Sequence, residues 1–172
     1  MKILTPAPAL PSIPFVRLAT PADAPVLARW LRDGIAYRRN RIARLAILAA
    51  GTLLLPAEIL RLRLVLATGI ETIALYCPAG DDQPIACVGV QRFARCWFLL
   101  DHVAAAPGHG HGAALRHLVA PALAAQADAE HVTIKTVAVN MDLGRAYAGS
   151  LPGLTDRGFG FPRGRRMRRD PI

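Results

Sequence analysis

Three glycines at alternate positions, Gly108, Gly110 and Gly112, separate an apolar run ending at Val103 from a second apolar run beginning at Ala113. Glycine admits positive φ and lets a ligand approach the backbone, while the first N–H groups of a helix have no internal partner. Strand, glycine loop and helix start in that order form a site for phosphate or another anion. The helix is predicted from Leu115, Leu118, Val119, Ala122 and Leu123, which share one face, and it opens straight off Gly112. His109 and His111 alternate with the glycines, and His102 and His117 flank them. A His-x-His pair can ligate zinc. No cysteine or carboxylate completes a set here, so no metal is expected.

A second constellation lies downstream. Asn140 ends the β-forming run Val137-Ala138-Val139, and Tyr147 follows seven residues later. Seven residues make about two helical turns, so the amide and the phenol lie on one side of a helix. Taken alone, the pair reads as an N-cap asparagine and a half-buried tyrosine. Asp101 and His102 are adjacent on the run that leads into the glycine loop. Strand alternation sends them to opposite faces, so at most one serves as general base. Asp101 is the candidate, and His102 is expected to be a satisfied core or surface histidine.

Two familiar phosphate loops do not fit. A Walker A loop needs Lys-Ser/Thr after its last glycine, where Ala113-Ala114 stand. A dinucleotide fingerprint needs GxGxxG in the first βα unit, whereas this GxGxG lies past the midpoint of the chain. Pro107 to Leu115, PGHGHGAAL, instead resembles the R/Q-x-x-G-x-G/A loop of the GNAT N-acetyltransferase superfamily, with Pro107 where that family has Arg or Gln. The resemblance implies that Gly108, His109, Gly110, His111, Gly112 and Ala113 hold the pyrophosphate of acetyl-coenzyme A. Asn140, Leu143, Ala146 and Tyr147 are similar to the family's N-x-x-A-x-x-L-Y phrase. That match implies that Asn140 contacts the pantetheine arm and that Tyr147 protonates the departing thiolate, with the backbone near Val103 polarising the thioester. The opening VRLATPADAPVLARWL is also similar to the family's first strand and helix, with Arg17, Ala19 and Asp23 in an R-x-A-x-x-x-D phrase. The family's closing Gly-Phe would be Gly158-Phe159, reached only after an inserted stretch, Ala148 to Asp156.

These residues must be carried by a framework. Phe15 to Ala19 reads as a strand. A helix then follows, capped by Asp23 and ended by Gly34. Asn40 to Ala50 is a second helical run, and Leu53 to Ala67 is read as a helix from Pro56 and Gly69, although Leu60 to Leu64 alternates like a strand. Thr72 to Cys77, a turn at Ala79-Gly80-Asp81-Asp82, and Ile85 to Phe93 make a hairpin, and Ala94-Arg95 turns into the Cys96 strand. His131 to Val139 is a further strand and Met141 to Gly149 a further helix. The order predicts an α+β (mixed α/β) domain. The GNAT resemblance, which covers Phe15 to Phe159, implies a mostly antiparallel twisted central sheet with helices on both faces.

The 172 residues suit one domain, with 1–14 as a proline-rich extended arm, 15–161 as the acyltransferase domain and 162–172 as a basic tail. Arginine carries the net charge of +9, in one cluster from Arg29 to Arg44 and another from Arg163 to Arg169. The tail, FPRGRRMRRDPI, lacks apolar periodicity and is expected to be a solvated arm that attracts an acidic or RNA-linked acceptor. Few aromatics interleave with the arginines, so a stacking surface for single strands is not indicated. Leu45 to Ala57, broken by Gly51, Thr52 and Pro56, falls short of the ~20 residues of a membrane span, so no membrane partner is expected. Three cysteines at no metal spacing read as reduced thiols, and the proline-rich start is unlike a signal sequence, which points to the cytoplasm. The resemblance therefore implies acetyl transfer from acetyl-coenzyme A to a primary amine, by a monomer or homodimer. The alternatives are a GNAT scaffold that binds a polyanion or protein without catalysis, and a nucleotide-dependent enzyme using the same loop.

Overall fold

The computed structural model describes residues 12–36, 41–78, 83–93, 95–106, 108–160 and 164–172. The extended arm over 1–11, the Ala79 to Asp82 turn, and Arg38, Arg39, Asn40, Ala94, Pro107 and Arg163 lie outside the described residues. The elements are β1 (Val16–Leu18), α1 (Ala24–Ala36), α2 (Arg41–Thr68), β2 (Glu71–Tyr76), β3 (Ala86–Phe93), β4 (Cys96–Ala104), α3 (His111–Ala129), β5 (Thr133–Ala138), α4 (Met141–Ser150), β6 (Thr155–Phe159) and β7 (Arg165–Arg169). One sheet holds the seven strands in the order β1-β2-β3-β4-β5-β7-β6. Every pairing is antiparallel except β4 with β5.

Strand alternation sorts the core into two layers. Ala74 of β2 joins Trp97, Leu115, Leu123, Ile134 and Met167 beneath α3 and α4, while its neighbours Ile73 and Leu75 join Leu27, Leu62 and Cys87 beneath α1 and α2. The β2–β3–β4 meander follows the expected hairpins.

At the start of α1 a short 3-10 turn, Pro21–Asp23, comes first, so Asp23 is the third residue of a helical turn rather than its cap. The Asp23 carboxylate accepts from the Thr20 N–H (2.8 Å) and from both ends of the Arg17 guanidinium (2.8 and 2.9 Å). These bonds hold its pKa down to about 2, with Arg17 the largest cause. Gly34 lies inside α1 and does not end it. A Cβ there would come within 3.0 Å of Val103, so glycine lets α1 approach β4 closely.

Other expectations are overturned. The two helical runs are one 28-residue helix, α2, continuous through Gly51 and Pro56, and it is long and apolar enough to cross a membrane by length and composition. One side of α2 packs through Leu55, Ile59, Leu62 and Leu66 into the core, while Ile42, Leu45, Leu53, Leu60 and Leu64 are exposed. The stretch from Ala148 to Asp156 completes α4, turns through buried Leu151 and Leu154, and starts β6.

The basic tail is also no arm. Arg165–Arg169 is strand β7, inserted between β5 and β6. Met167 is buried, and Arg169 is only 2% exposed. The Arg169 guanidinium donates to both carboxylate oxygens of Asp128 on α3 (2.8 and 2.6 Å) and to the Pro152 carbonyl (2.7 Å). A buried cation is tolerated only when paired and hydrogen-bonded, and both conditions are met here.

Candidate active site

Strands β4 and β5 pair in parallel from Cys96↔Thr133 to Leu99↔Thr136 and then part, although β4 runs on to Ala104 and β5 to Ala138. Past Leu99, the β5-facing edge of β4 therefore has no strand partner among the described residues. The parting opens a cavity of about 1000 Å³. Leu31 and Gly34 of α1, Leu100, His102 and Val103 of β4, and Leu143 and Tyr147 of α4 contribute to its walls.

The glycine loop sits at the end of β4. Gly108 and Gly110 have φ of 94° and 80°, a left-handed conformation that suits glycine. Gly110 is the N-cap, so α3 opens at His111, two residues earlier than the sequence suggests. The first i→i−4 bond comes from the Ala114 N–H to the Gly110 carbonyl. The N–H groups of His111, Gly112 and Ala113 consequently have no helical partner and form a first-turn cradle. Gly108, His109 and Gly110 are exposed beside it. This donor set and its glycine clearance fit a pyrophosphate. His109 and His111 stack with ring centroids 6.1 Å apart, and among the described residues no group of three metal-ligating side chains forms.

Between loop and α4 lies His102, expected as a satisfied core or surface histidine and found with both ring nitrogens hydrogen-bonded. The β3–β4 register moves from Gly89↔Leu100 to Cys87↔Val103, so β4 takes three steps where β3 takes two. This bulge at Asp101 and His102 re-aims the strand, and simple alternation no longer predicts which face a side chain takes. His102 lies between the Tyr147 hydroxyl (2.8 Å from Nδ1) and the Gly112 carbonyl (2.8 Å from Nε2). A Cβ on Gly112 would come within 3.1 Å of that Nε2. Burial lowers the His102 pKa, so the ring is neutral at neutral pH. The Gly112 carbonyl can only accept, so Nε2 carries the proton and Nδ1 accepts from the Tyr147 hydroxyl. Burial pushes the Tyr147 pKa up to about 12, opposed by the Arg116 guanidinium 5.4 Å from its ring centroid. Arg116 is held in turn by donation to the Ser150 hydroxyl (2.9 Å).

Tyr147 and Val103 thus line the cavity, and the six loop residues lie at the α3 end of β4. Asn140 caps α4, its Oδ1 accepting from the Leu143 N–H at 2.8 Å. Asp101 occupies the bulge in β4.

No protein-family model matches the chain, and no curated protein sequence matches it either. Solved structures do. A structure described as histone acetyltransferase HPA2 and related acetyltransferase from Corynebacterium glutamicum is 15% identical, with 94% of this chain and 98% of that one covered, at a TM-score of 0.59. PaiA N-acetyltransferase from Thermoplasma acidophilum, in complex with coenzyme A, is 9% identical over 90% and 98% of the two chains, at 0.61. AAC(6')-Ib in complex with ribostamycin and coenzyme A is 22% identical over 90% and 92%, at 0.54. At these identities the likeness is one of fold, and the chain has the GNAT N-acetyltransferase fold.

Proposed function

We propose that the protein transfers an acetyl group from acetyl-coenzyme A to a primary amine by direct attack, in the cytoplasm. The observation that carries this reading is that His102, in the cavity wall, joins the phenol of Tyr147 to the Gly112 carbonyl in the first turn of α3, the turn whose N–H groups have no helical partner. The N–H groups of His111, Gly112 and Ala113, with Gly108, His109 and Gly110 beside them, hold the pyrophosphate. Asn140 keeps its side-chain N–H₂ for the pantetheine arm while its oxygen caps α4. Backbone donors on the unpaired edge of β4, near Val103, polarise the thioester carbonyl.

The amine nitrogen bonds to the carbonyl carbon as the carbon–sulfur bond breaks. Asp101 is assigned to take the amine proton, and the Tyr147 hydroxyl turns from His102 Nδ1 to give its proton to the thiolate, then regains one from solvent. A phenol with a pKa of about 12 stays protonated at neutral pH, the state that this donation needs. His102 positions the phenol and ties it to the carbonyl of Gly112 in the coenzyme loop. Holding both reactants in one cavity supplies much of the acceleration. Three free cysteines suit a reducing compartment.

Calorimetric titration with acetyl-coenzyme A tests the coenzyme side. Gly110→Asp, whose Cβ meets no atom within 4 Å but which must take a positive φ, should abolish binding through its negative charge, and Gly110→Ala, with the same backbone strain and no charge, should bind better than the aspartate. Tyr147→Phe should lower kcat roughly 10- to 100-fold with coenzyme affinity intact. Absence of heat with the wild-type protein would favour a binding module on this scaffold, and unchanged kcat in the phenylalanine variant would reduce Tyr147 to packing.

A further inference from the structure

The cavity has a second wall with its own chemistry. On the side of the sheet away from α3 and α4, β5, β7 and β6 present Lys135, Arg166, Arg168 and Arg157 to it, against one carboxylate, Asp170. Asp170 pairs with Arg168 (2.6 Å) and lies 3.7 Å from Arg157. Among the described residues no carboxylate pairs with Lys135 or Arg166. Lys135 stands directly opposite Arg168 on the neighbouring strand, and Arg166 stands opposite Val137. Like charges facing each other across strands destabilise a sheet. An anion bound among them would remove that cost.

The neighbouring surface is apolar: Lys135 lies over the Phe98 ring at 5.7 Å, and Leu100, Val137 and Val139 also line the cavity. Tyr147 and the coenzyme loop approach from the α3 and α4 side, so the cationic wall borders the half left for the acceptor. We infer that the acceptor is a small amine that itself bears a carboxylate or phosphate, bound by Lys135, Arg166 and Arg168 while its amino group reaches the gap between β4 and β5. This rests on the acetyltransferase reading. A polyamine would be repelled by the same wall.

The test pairs amines that differ in one anionic group: O-phosphoethanolamine with ethanolamine, and β-alanine with β-alaninamide. With acetyl-coenzyme A, release of the coenzyme thiol should show at least a roughly tenfold higher kcat/KM for the anionic member, a preference that weakens as salt rises. Arg166→Glu should erase the preference with coenzyme affinity unchanged, and Arg166→Gln should reduce it if the charge reversal disturbs the fold. Equal turnover within pairs, or spermidine as the best acceptor, would overturn the inference. So would a short RNA that competes more strongly than the small anions. O-phosphoethanolamine is also titrated calorimetrically onto coenzyme-loaded protein. Binding lost in Arg166→Glu upholds the anion site even if no amine is acetylated, in which case it is the transferase reading that fails. No binding in the wild type sinks the site.

The outer face of α2 carries an independent inference. Along it Ile42, Ala46, Ala49, Leu53, Ala57, Leu60 and Leu64 are all exposed, and no charged residue interrupts the stripe. Contiguous apolar patches of this kind mark interaction surfaces. The spacing is symmetric about Leu53: Ala49 and Ala57 lie four residues to either side, Ala46 and Leu60 seven, Ile42 and Leu64 eleven. An antiparallel two-fold pair would set Leu53 on itself and each leucine or isoleucine of one half against its counterpart, with Arg63 opposite Ala43. Parallel pairing would set Arg63 against Arg63. The helix is about 42 Å long, and a strip ~10 Å wide projects to roughly 400 Å² on each copy, the scale of a weak dimer. We propose that a second copy of this chain covers α2 in this antiparallel register.

Light scattering after size exclusion should show mass rising with concentration towards a dimer, and Leu53→Lys should abolish the rise without altering coenzyme affinity. Under mild oxidation Leu53→Cys should cross-link to itself, whereas Ala46→Cys should link to Leu60→Cys and not to itself. A monomer at all concentrations, with or without binding to phosphatidylglycerol vesicles through this face, would overturn the proposal.

Discussion

Strand β7 carries Arg165, Arg166, Arg168 and Arg169 around a single methionine, and its two faces use the same side chain differently. Towards α3, Arg169 is buried, bidentate to Asp128 and bonded to the Pro152 carbonyl. Towards the cavity, Arg166 is exposed and has no carboxylate partner among the described residues. Alternation places the two on opposite faces three residues apart. What surrounds the guanidinium, and not its type or local spacing, makes one a structural tie and leaves the other available for a ligand.

Breaking that comparison outright means removing the strand. Deleting residues 164–172 takes Met167 and Arg169 from the core and leaves β5 and β6 without their shared partner. The expected result is loss of cooperative thermal unfolding and of near-ultraviolet circular dichroism. A retained transition would return the segment to a solvated arm. A smaller effect is expected from Arg169→Ala, which strands Asp128 and should cost about 2 kcal/mol by urea unfolding, the usual cost of breaking a buried pair discounted because Asp128 is 27% exposed. Replacing both partners by apolar residues should recover much of that loss.

Acid titration sharpens the same contrast. Asp128 is held down to about 2, by Arg169 first and by the Ile172 N–H next, so its stabilisation is complete above 3.8 and is lost as pH falls towards 2. The depressed pKa of His102 acts earlier, stabilising the fold above 6.5 and losing that contribution as pH drops below it. The melting temperature should therefore fall in two stages. Arg169→Ala should blunt the lower stage, leaving the share of Asp23, and His102→Gln should blunt the upper one. A single stage unchanged by His102→Gln would detach the Tyr147–His102–Gly112 bridge from stability. The smallest effect belongs to Arg166→Ala, expected to change stability by less than about 0.5 kcal/mol. A larger loss would make its face structural as well.

Several parts of the site were legible because they depend on local rules. Alternating glycines before an apolar 3.6-residue period announce a helix start with free N–H groups, and α3 begins within two residues of the expected position. Asn140 before a helical run predicts a cap, and it is one. That His102 would be a satisfied histidine was legible, but its partners Tyr147 and Gly112 were not, because the bulge that aims it is set by pairing between strands rather than by either strand alone. The only cue in sequence was its place beside the glycine loop.

Long-range partners decided the rest. The β7 segment reads as a charged tail because four arginines surround one methionine; only Asp128, from a helix roughly forty residues earlier, compensates the burial of Arg169. Gly51 and Pro56 look like breaks, yet α2 continues because Leu55, Ile59 and Leu62 gain more by packing on α1 and the sheet than two poor helix formers cost. By itself the sequence determined the order of elements from β2 to α4, the glycine loop at the start of α3 and the spacing of Asn140 and Tyr147, since each follows from backbone geometry over a few residues. The tertiary structure alone decided which arginines are buried, where β4 leaves β5, and that His102 meets both Tyr147 and Gly112. Those outcomes depend on contacts between residues distant in the chain, whose energies no local pattern encodes.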